Sequence, residues 1–405
     1  MPGGIVAAVV VAEVAVWLLR PGGVIHPVDV HESSYFTSAE LDRARDFAEG
    51  QRLLALGALA IEGVVLMVLV ARPPRRAIAL AERASRGRAL GAGALVGAGI
   101  AVAVELAPLP LNAIARQRAV DVGLATQSWG GWAFDVARAT AIGAALVAGG
   151  AALFLWLVRR FPRRWWIGTA LAAIAIEVVF VWLAPVVLAP LFNKFDKLPP
   201  GRTRSDVVAL AHRAGVDVGD VLVVDASRRT TAANAYVTGL GHTKRVVLYD
   251  NLLRDFKPSE VRLVVAHELG HVKGRDVPRG MLWVALVAPA AMLLTKRLSE
   301  GWAARTGVAP GTPAFLPALA LALALVSFGG TVISNQLSRR VEARADTFAL
   351  ELTGEGPSFV AMERRLTISN VADPSPPQPL VWLFGTHPPA IERIGAAVAF
   401  EREPR

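Results

Sequence analysis

The 405-residue chain contains no cysteine. Disulfides, thiolate metal sites and a cysteine nucleophile are therefore excluded, and any metal must be held by histidine and carboxylate. Charge is scarce, at 19% of residues against 54% hydrophobic, and the mean hydropathy is +0.45. A soluble chain this apolar would expose far too much oily surface, which argues against the two or three soluble domains that length alone would permit. No basic stripe interleaved with aromatics is present, so the net charge of +10 does not point to nucleic acid. The arginines instead sit in short clusters beside apolar spans, as in membrane proteins. Met1-Pro-Gly-Gly lacks a basic n-region and Glu13 interrupts the apolar stretch behind it, which favours a retained membrane helix over a signal peptide. There is no internal repeat and no low-complexity tract.

What is present is a series of about seven apolar spans: 5–19, 53–70, 89–106, 139–158, 165–192, 281–294 and 313–333. An amphipathic helix is expected over 35–45, opening after Thr37 or Ser38. A loop containing 123–132 is expected after Pro108 and Pro110, and Pro185 and Pro190 should bend the end of the fifth span. Between the fifth and sixth spans the character changes to α/β, with a helix over 205–213 and short strands over 221–225, 234–237 and 245–249. The chain thus divides into five membrane helices (1–192), a soluble α/β segment (193–279), two further membrane helices (280–333) and a polar, mostly helical tail (334–405). Glu13, Glu62, Glu105 and Glu177 lie within spans. Lipid-facing charge is costly, so they either line a hydrated cavity or are protonated or interface-proximal carboxylates.

The soluble segment ends in His267-Glu-Leu-Gly-His271. Pro258 suits a first helical position, Glu260 the first turn and Gly274 a stop, so the motif lies on a helix. Positions i and i+4 share a face, so both imidazoles can reach one metal ion. Glu268 can then take the proton of a water that zinc makes acidic near neutral pH. With 7 histidines in the chain, a chance match is on the order of 0.01 per chain. The alternative is two histidines on a half-buried helix with a solvated glutamate between them. A catalytic zinc needs a third ligand, and Ser338-Arg-Arg-Val-Glu-Ala-Arg-Ala-Asp346 puts Glu342 and Asp346 on one helical face. Glu342 can be the ligand and Asp346 the acceptor for the far nitrogen of a ligating histidine. An exposed amphipathic helix with i,i+4 charge pairs is the competing reading.

In this order the motifs resemble the CAAX prenyl protease 1 family of integral-membrane zinc metalloendopeptidases. The resemblance runs through Tyr35-Phe-Thr37, Thr126-Gln-Ser-Trp-Gly-Gly-Trp132, Pro190-Leu-Phe-Asn-Lys-Phe195, Asn234-Ala-Tyr236 and Val247-Leu-Tyr-Asp-Asn-Leu-Leu253. It continues through the two metal motifs and ends with Thr386-His-Pro-Pro389 before Glu392-Arg393. It implies a mainly α polytopic membrane protein, about seven transmembrane helices enclosing a chamber, with a zincin-like α/β metalloprotease domain. It further implies one zinc ion on His267, His271 and Glu342, with Glu268 as general base and Asp346 behind the ligands. A substrate strand would pair with Asn234, Ala235 and Tyr236. Asn234 would present its side chain near the scissile carbonyl, His387 would stabilise the oxyanion, and Arg393 would lie near the site among the substrate-binding residues, tying the tail to the ligand helices.

The expected partners are membrane lipid and a peptide or lipidated protein substrate; the sequence carries no indication of oligomeric state. The alanine-, arginine- and glycine-heavy composition is that of a high-GC bacterium, where prenylated CAAX proteins are not expected as in eukaryotes. The reaction is therefore better specified than the lipid, and the location is the bacterial cytoplasmic membrane. Arginine bias puts the 72–88 and 159–164 loops in the cytoplasm and so the zinc segment outside, whereas the resemblance implies a cytosolic zinc segment. Two alternatives are a quality-control membrane protease of the HtpX type, which normally has fewer spans, and a transporter or scaffold with a structural zinc. The latter would need a fourth protein ligand, and three are evident.

Overall fold

The computed structural model describes residues 2–239 and 244–402. The first half is helical: α1 (Pro2–Leu19), α2 (Ser38–Ala71), α3 (Arg75–Ala84), α4 (Ala89–Leu106), α5 (Leu109–Asp121), α6 (Trp129–Arg160), α7 (Trp165–Leu183) and α8 (Ala189–Phe192). There follow β1 (Phe195–Lys197), α9 (Arg202–Arg213), β2 (Asp220–Val224), β3 (Ala235–Thr238), β4 (Arg245–Tyr249), α10 (Asp250–Asp255) and α11 (Pro258–Lys273). Then come α12 (Asp276–Arg305), α13 (Leu316–Thr353), α14 (Gly356–Ser369), α15 (Gln378–Phe384) and α16 (Ala390–Arg402).

Local chemistry explains the boundaries. Thr37 and Glu40 form a reciprocal capping box that starts α2: the Thr37 amide donates to the Glu40 carboxylate at 2.8 Å. No proline follows before Pro73, so the amphipathic stretch and the second span, expected as separate elements, form one 34-residue helix. The loop expected after Pro108 and Pro110 is shorter than read, covering 122–128 only, because α5 comes first: Pro108 and Pro110 sit at its start, where a missing amide costs nothing. Ser128 accepts from the Gly131 amide at 3.1 Å and opens α6 ten residues before the expected span. The bend at Pro185 takes the form of a π-helical turn over Ala184–Leu188. Strand β1 is a further element that the sequence reading did not identify.

Among the described residues, six helices are long and apolar enough to cross a membrane, and α1 adds a shorter apolar helix over Gly3–Leu19. The chain is therefore an integral, multi-pass membrane protein. Its helices close a ring: α2 packs on α4, α4 on α6, α6 on α7, α7 on α12, α12 on α13 and α13 back on α2, with α1 against α12 and α13. Only 0 to 33% of each apolar window is buried. A close-packed bundle would bury one face of every helix, whereas a ring around a chamber leaves it open. The connections 72–88, 159–164 and 306–315 all fall at one end of this ring. That end is held by a core in which Trp165 is fully buried, edge-on to Phe154 at 5.0 Å, with its indole N–H donating to Glu300 at 2.9 Å.

At the other end lies a four-stranded sheet of order β1-β2-β4-β3, with β2 and β4 parallel and β3 antiparallel on β4, so β3 is an edge strand. One core joins the sheet, α11 and the tail: Val221, Val246 and Leu248 pack with Leu263 and Leu269, and with Leu350, Phe359 and Ala397. The stretches 193–279 and 334–405 thus fold around a shared interior. Loss of the opposite core has a defined expectation. Trp165→Ala should cost about 3–5 kcal/mol and lower the Tm of the detergent-solubilised protein; an unchanged Tm would contradict the packing described.

Candidate metal centre

Helix α11 starts at Pro258, and Glu260 in its first turn accepts from the Lys257 amide at 2.8 Å. Its body is almost wholly buried, Val265, Ala266 and Leu269 completely so. This fixes the direction in which His267 and His271 project. The partner helix α13 runs unbroken from the membrane ring past Glu342 and Asp346, so the tail motif is the continuation of a span. The two helices meet at the glycine of the first motif. A Cβ on Gly270 would stand 3.2 Å from both the Ala345 Cα and its carbonyl oxygen. Only glycine admits that approach without a shift, and the approach carries Glu342 to the histidines.

The Nε2 atoms of His267 and His271 are 3.1 Å apart. His267 Nε2 lies 3.2 Å from one Glu342 carboxylate oxygen and His271 Nε2 lies 3.6 Å from the other. These three side chains form a group whose ligand atoms lie within 4.8 Å of one another. Metal–nitrogen bonds of about 2.0–2.1 Å in tetrahedral geometry place ligand atoms roughly 3.3 Å apart, so the spacing suits a single small cation. The Glu342 Oε2 atom supports the same fit: it is buried and its contacts fail hydrogen-bond geometry. Burial alone would lower the His267 pKa, yet its bond to Asp346 and the nearby Glu342 carboxylate raise it to about 10. The carboxylates thus demand positive charge at this point, which a divalent ion can supply.

Behind the ligands a second layer holds the imidazoles. Asp346 accepts from His267 Nδ1 at 2.8 Å, fixing Nε2 toward the centre. Arg393 clamps Asp346 at 2.5 and 2.8 Å and reaches Glu363 at 2.8 Å, so its guanidinium, named in the sequence reading for substrate contact, is spent on two protein carboxylates. Burial pushes the Glu363 carboxyl up to about 7 against the opposing pull of Arg393. His271 has its own partner, Asp276, whose carboxylate accepts from Nδ1 at 3.0 Å and is held in turn by Arg344 at 2.6 Å and by Arg279. The sequence reading missed Asp276, Arg344 and Glu363. Asp276 follows a sharp turn in which Arg275 adopts φ 55°, and that turn folds the carboxylate back onto His271. A carboxylate five residues after the second histidine was the available signal.

Glu268 is half-buried and makes no hydrogen bond among the described residues; burial raises its pKa despite the nearby imidazoles. His387 is exposed, with Nε2 3.3 Å from Glu342 and Nδ1 2.9 Å from the Thr386 hydroxyl. Asn234 is exposed immediately before edge strand β3, its side-chain oxygen accepting from the Ala235 amide at 2.8 Å. Ala235 packs into the core with α11, whereas the Tyr236 ring packs on Val224 and Val247 in a separate cluster, where burial raises its hydroxyl pKa to about 12. The free edge of β3 therefore offers backbone, not the tyrosine hydroxyl. Asp276→Asn should weaken metal binding roughly 10–100-fold in a chelator-competition titration, and equal affinity would remove Asp276 from the site.

A family model described as "Peptidase family M48" matches residues 199–401, and one described as "CAAX prenyl protease N-terminal, five membrane helices" matches 120–194. The chain is 32% identical over 307 residues to an uncharacterized metalloprotease of Bacillus subtilis, covering 74% of this chain and 71% of that protein. It is 32% identical over 234 residues to the CAAX prenyl protease 1 homolog of Arabidopsis thaliana, covering 55% of this chain and 53% of that one. With CAAX prenyl protease 1 of Saccharomyces cerevisiae it shares 34% over 143 residues, 35% and 31% of the two chains. The chain thus spans about half or less of these two eukaryotic relatives. The crystal structure of Ste24p from S. mikatae superposes with a TM-score of 0.81 at 19% identity, covering 97% of each chain, which is a likeness of fold. With its membrane ring, its His267–His271–Glu342 cluster and these matches together, the chain belongs to peptidase family M48, the membrane metalloproteases related to CAAX prenyl protease 1.

Proposed function

We propose that the protein is a zinc endopeptidase acting on membrane-associated or lipidated polypeptides. The observation that carries this reading is the convergence of His267, His271 and Glu342 on one point, with the carboxylate of Glu268 left uncommitted beside it. One zinc ion would be held by those three side chains, leaving a fourth position open; the ion supplies Lewis acidity, acidifying water and polarising a carbonyl. Its ligands are oriented by Asp346 and Asp276, and Arg393 acts as a positioning residue that ties α16 to α13.

Each remaining residue then has a role at a defined atom. The extended substrate adds to the free edge of β3, exchanging main-chain hydrogen bonds at Ala235 and beyond, with Asn234 at the start of that edge. The Glu268 carboxylate takes the proton of the attacking water and passes it to the nitrogen of the departing amine. Its pKa, raised by burial, brings it nearer the value that both transfers need. His387, whose Nε2 lies 3.3 Å from Glu342, donates to the carbonyl oxygen as charge develops there. An apolar cavity of about 490 Å³ opens beside His387, walled by Leu56 and Leu59 of α2 and by Leu380, Val381 and Phe384. A cavity of that size and character accepts a lipid chain or a large apolar side chain of the substrate.

For membrane orientation we propose a cytosolic metal centre, as the family resemblance implies, against the arginine count of the loops at the far end. The absence of cysteine makes the choice accessible: Ser85→Cys, in a loop at that far end, should be labelled in intact cells by a membrane-impermeant maleimide. No labelling there, with labelling only after the membrane is opened, reverses the orientation. For the chemistry, Glu268→Gln should lower kcat for peptide cleavage by at least about 100-fold while one zinc stays bound per chain. Activity retained in that variant would sink the mechanism. Prenylated and unprenylated forms of one peptide, compared on the parent protein, decide whether lipid is recognised.

A further inference from the structure

Two motifs that catalysis leaves unused, Thr126–Trp132 and Pro190–Phe195, meet around one cavity of about 780 Å³, the volume range of a small-molecule site. The cavity lies where α6 begins and α8 ends, which are the ends of two neighbouring membrane spans. Trp129 and Phe134, 47% and 60% exposed in the first turns of α6, place it at the level of a membrane–water boundary.

Its wall has two characters. Phe134 and Leu191 are exposed and apolar. The same cavity is lined by Arg138, Lys194, Arg228 and Arg229. Three of these cations have carboxylate partners: Arg229 with Asp135 at 3.0 Å, Arg228 with Asp225 at 3.3 Å and Lys194 with Asp196 at 2.9 Å. Arg138 has none among the described residues. It donates to the Leu191 carbonyl and stands over the rings of Phe134 and Phe192, at 4.4 and 5.5 Å from their centroids. Four cations against three carboxylates leave one positive charge, at the junction of an apolar wall and the interface.

We propose that this cavity binds the headgroup of an anionic phospholipid, with the phosphodiester against Arg138 and an acyl chain along Phe134 and Leu191. A monoanionic phosphodiester balances the single surplus charge, and basic pockets between membrane helices recognise such headgroups. The bound lipid would brace the junction at which the membrane ring joins the sheet. There Thr126 already pairs with Arg229 through a 3.0 Å main-chain bond, and Arg229 joins Asp135 of α6 to Asn193.

The test uses the full chain, delipidated in detergent and titrated separately with phosphatidylglycerol, phosphatidylcholine of the same chains, and inorganic phosphate. Native mass spectrometry counts retained lipid, and Tm reports stabilisation. Phosphatidylglycerol should be retained at one per chain and raise Tm, while the other two do neither. Arg138→Gln should weaken that binding about tenfold or more. Lys194→Gln, on an exposed side chain that leaves the Arg138–Leu191 bond intact, should weaken it severalfold and guards against a folding defect in the first variant. Equal retention of phosphatidylcholine, a full Tm shift from phosphate alone, or unchanged affinity in a folded variant at Arg138 or Lys194 would each overturn the proposal.

Discussion

The structure depends on how closely α11 and α13 can approach. Backbone meets backbone at Gly270 and Ala345, and that contact decides whether a carboxylate on one helix shares a point with two imidazoles on the other. Buried carboxylates so near one another are unstable alone. Asp346, Glu342 and Glu363 therefore come with Arg393, two histidines and a cation site, and the arrangement holds only as a complete set. The apolar core around Leu263, Leu269, Leu350 and Phe359 lies directly behind it and keeps the helices from separating.

The same constraint explains the architecture. Because α13 is one helix from the membrane ring to the metal cluster, any tilt of that span moves Glu342 relative to His267. The ring is closed by neighbour-to-neighbour packing and fixed at its far end by the Trp165 core. The sheet adds a second attachment, since the 123–126 segment pairs with 227–231 between membrane and soluble parts. The metal cluster is thus gripped from both sides while the chamber between the helices stays open. Openness in the membrane and rigidity at the metal are separated in space.

Much of the site was legible in the sequence because it rests on local periodicity. The i,i+4 spacing of His267 with His271, and of Glu342 with Asp346, is a property of one helix and needs no knowledge of the fold. The edge strand at Ala235 and the capping Thr37 were equally local. The errors had local causes too: the helix that Pro108 and Pro110 start goes unrecognised before the expected loop, and the polar stretch before residue 53 is separated from a span with which it is continuous. Asp276 and Glu363 escaped because one lies beyond a backbone turn and the other on a separate helix.

By itself, the sequence determined that the chain is a membrane protein, that a metal could be held only by histidine and carboxylate, and which helical faces carry the ligands. These follow from composition and from the geometry of a single helix. Only the tertiary structure decided that both motif helices face each other, that Arg393 serves Asp346 and Glu363, and that the spans form a ring with open space inside. Such facts depend on distances between residues far apart in the chain. Those distances are set by packing: the space at Gly270 and the filled core behind it.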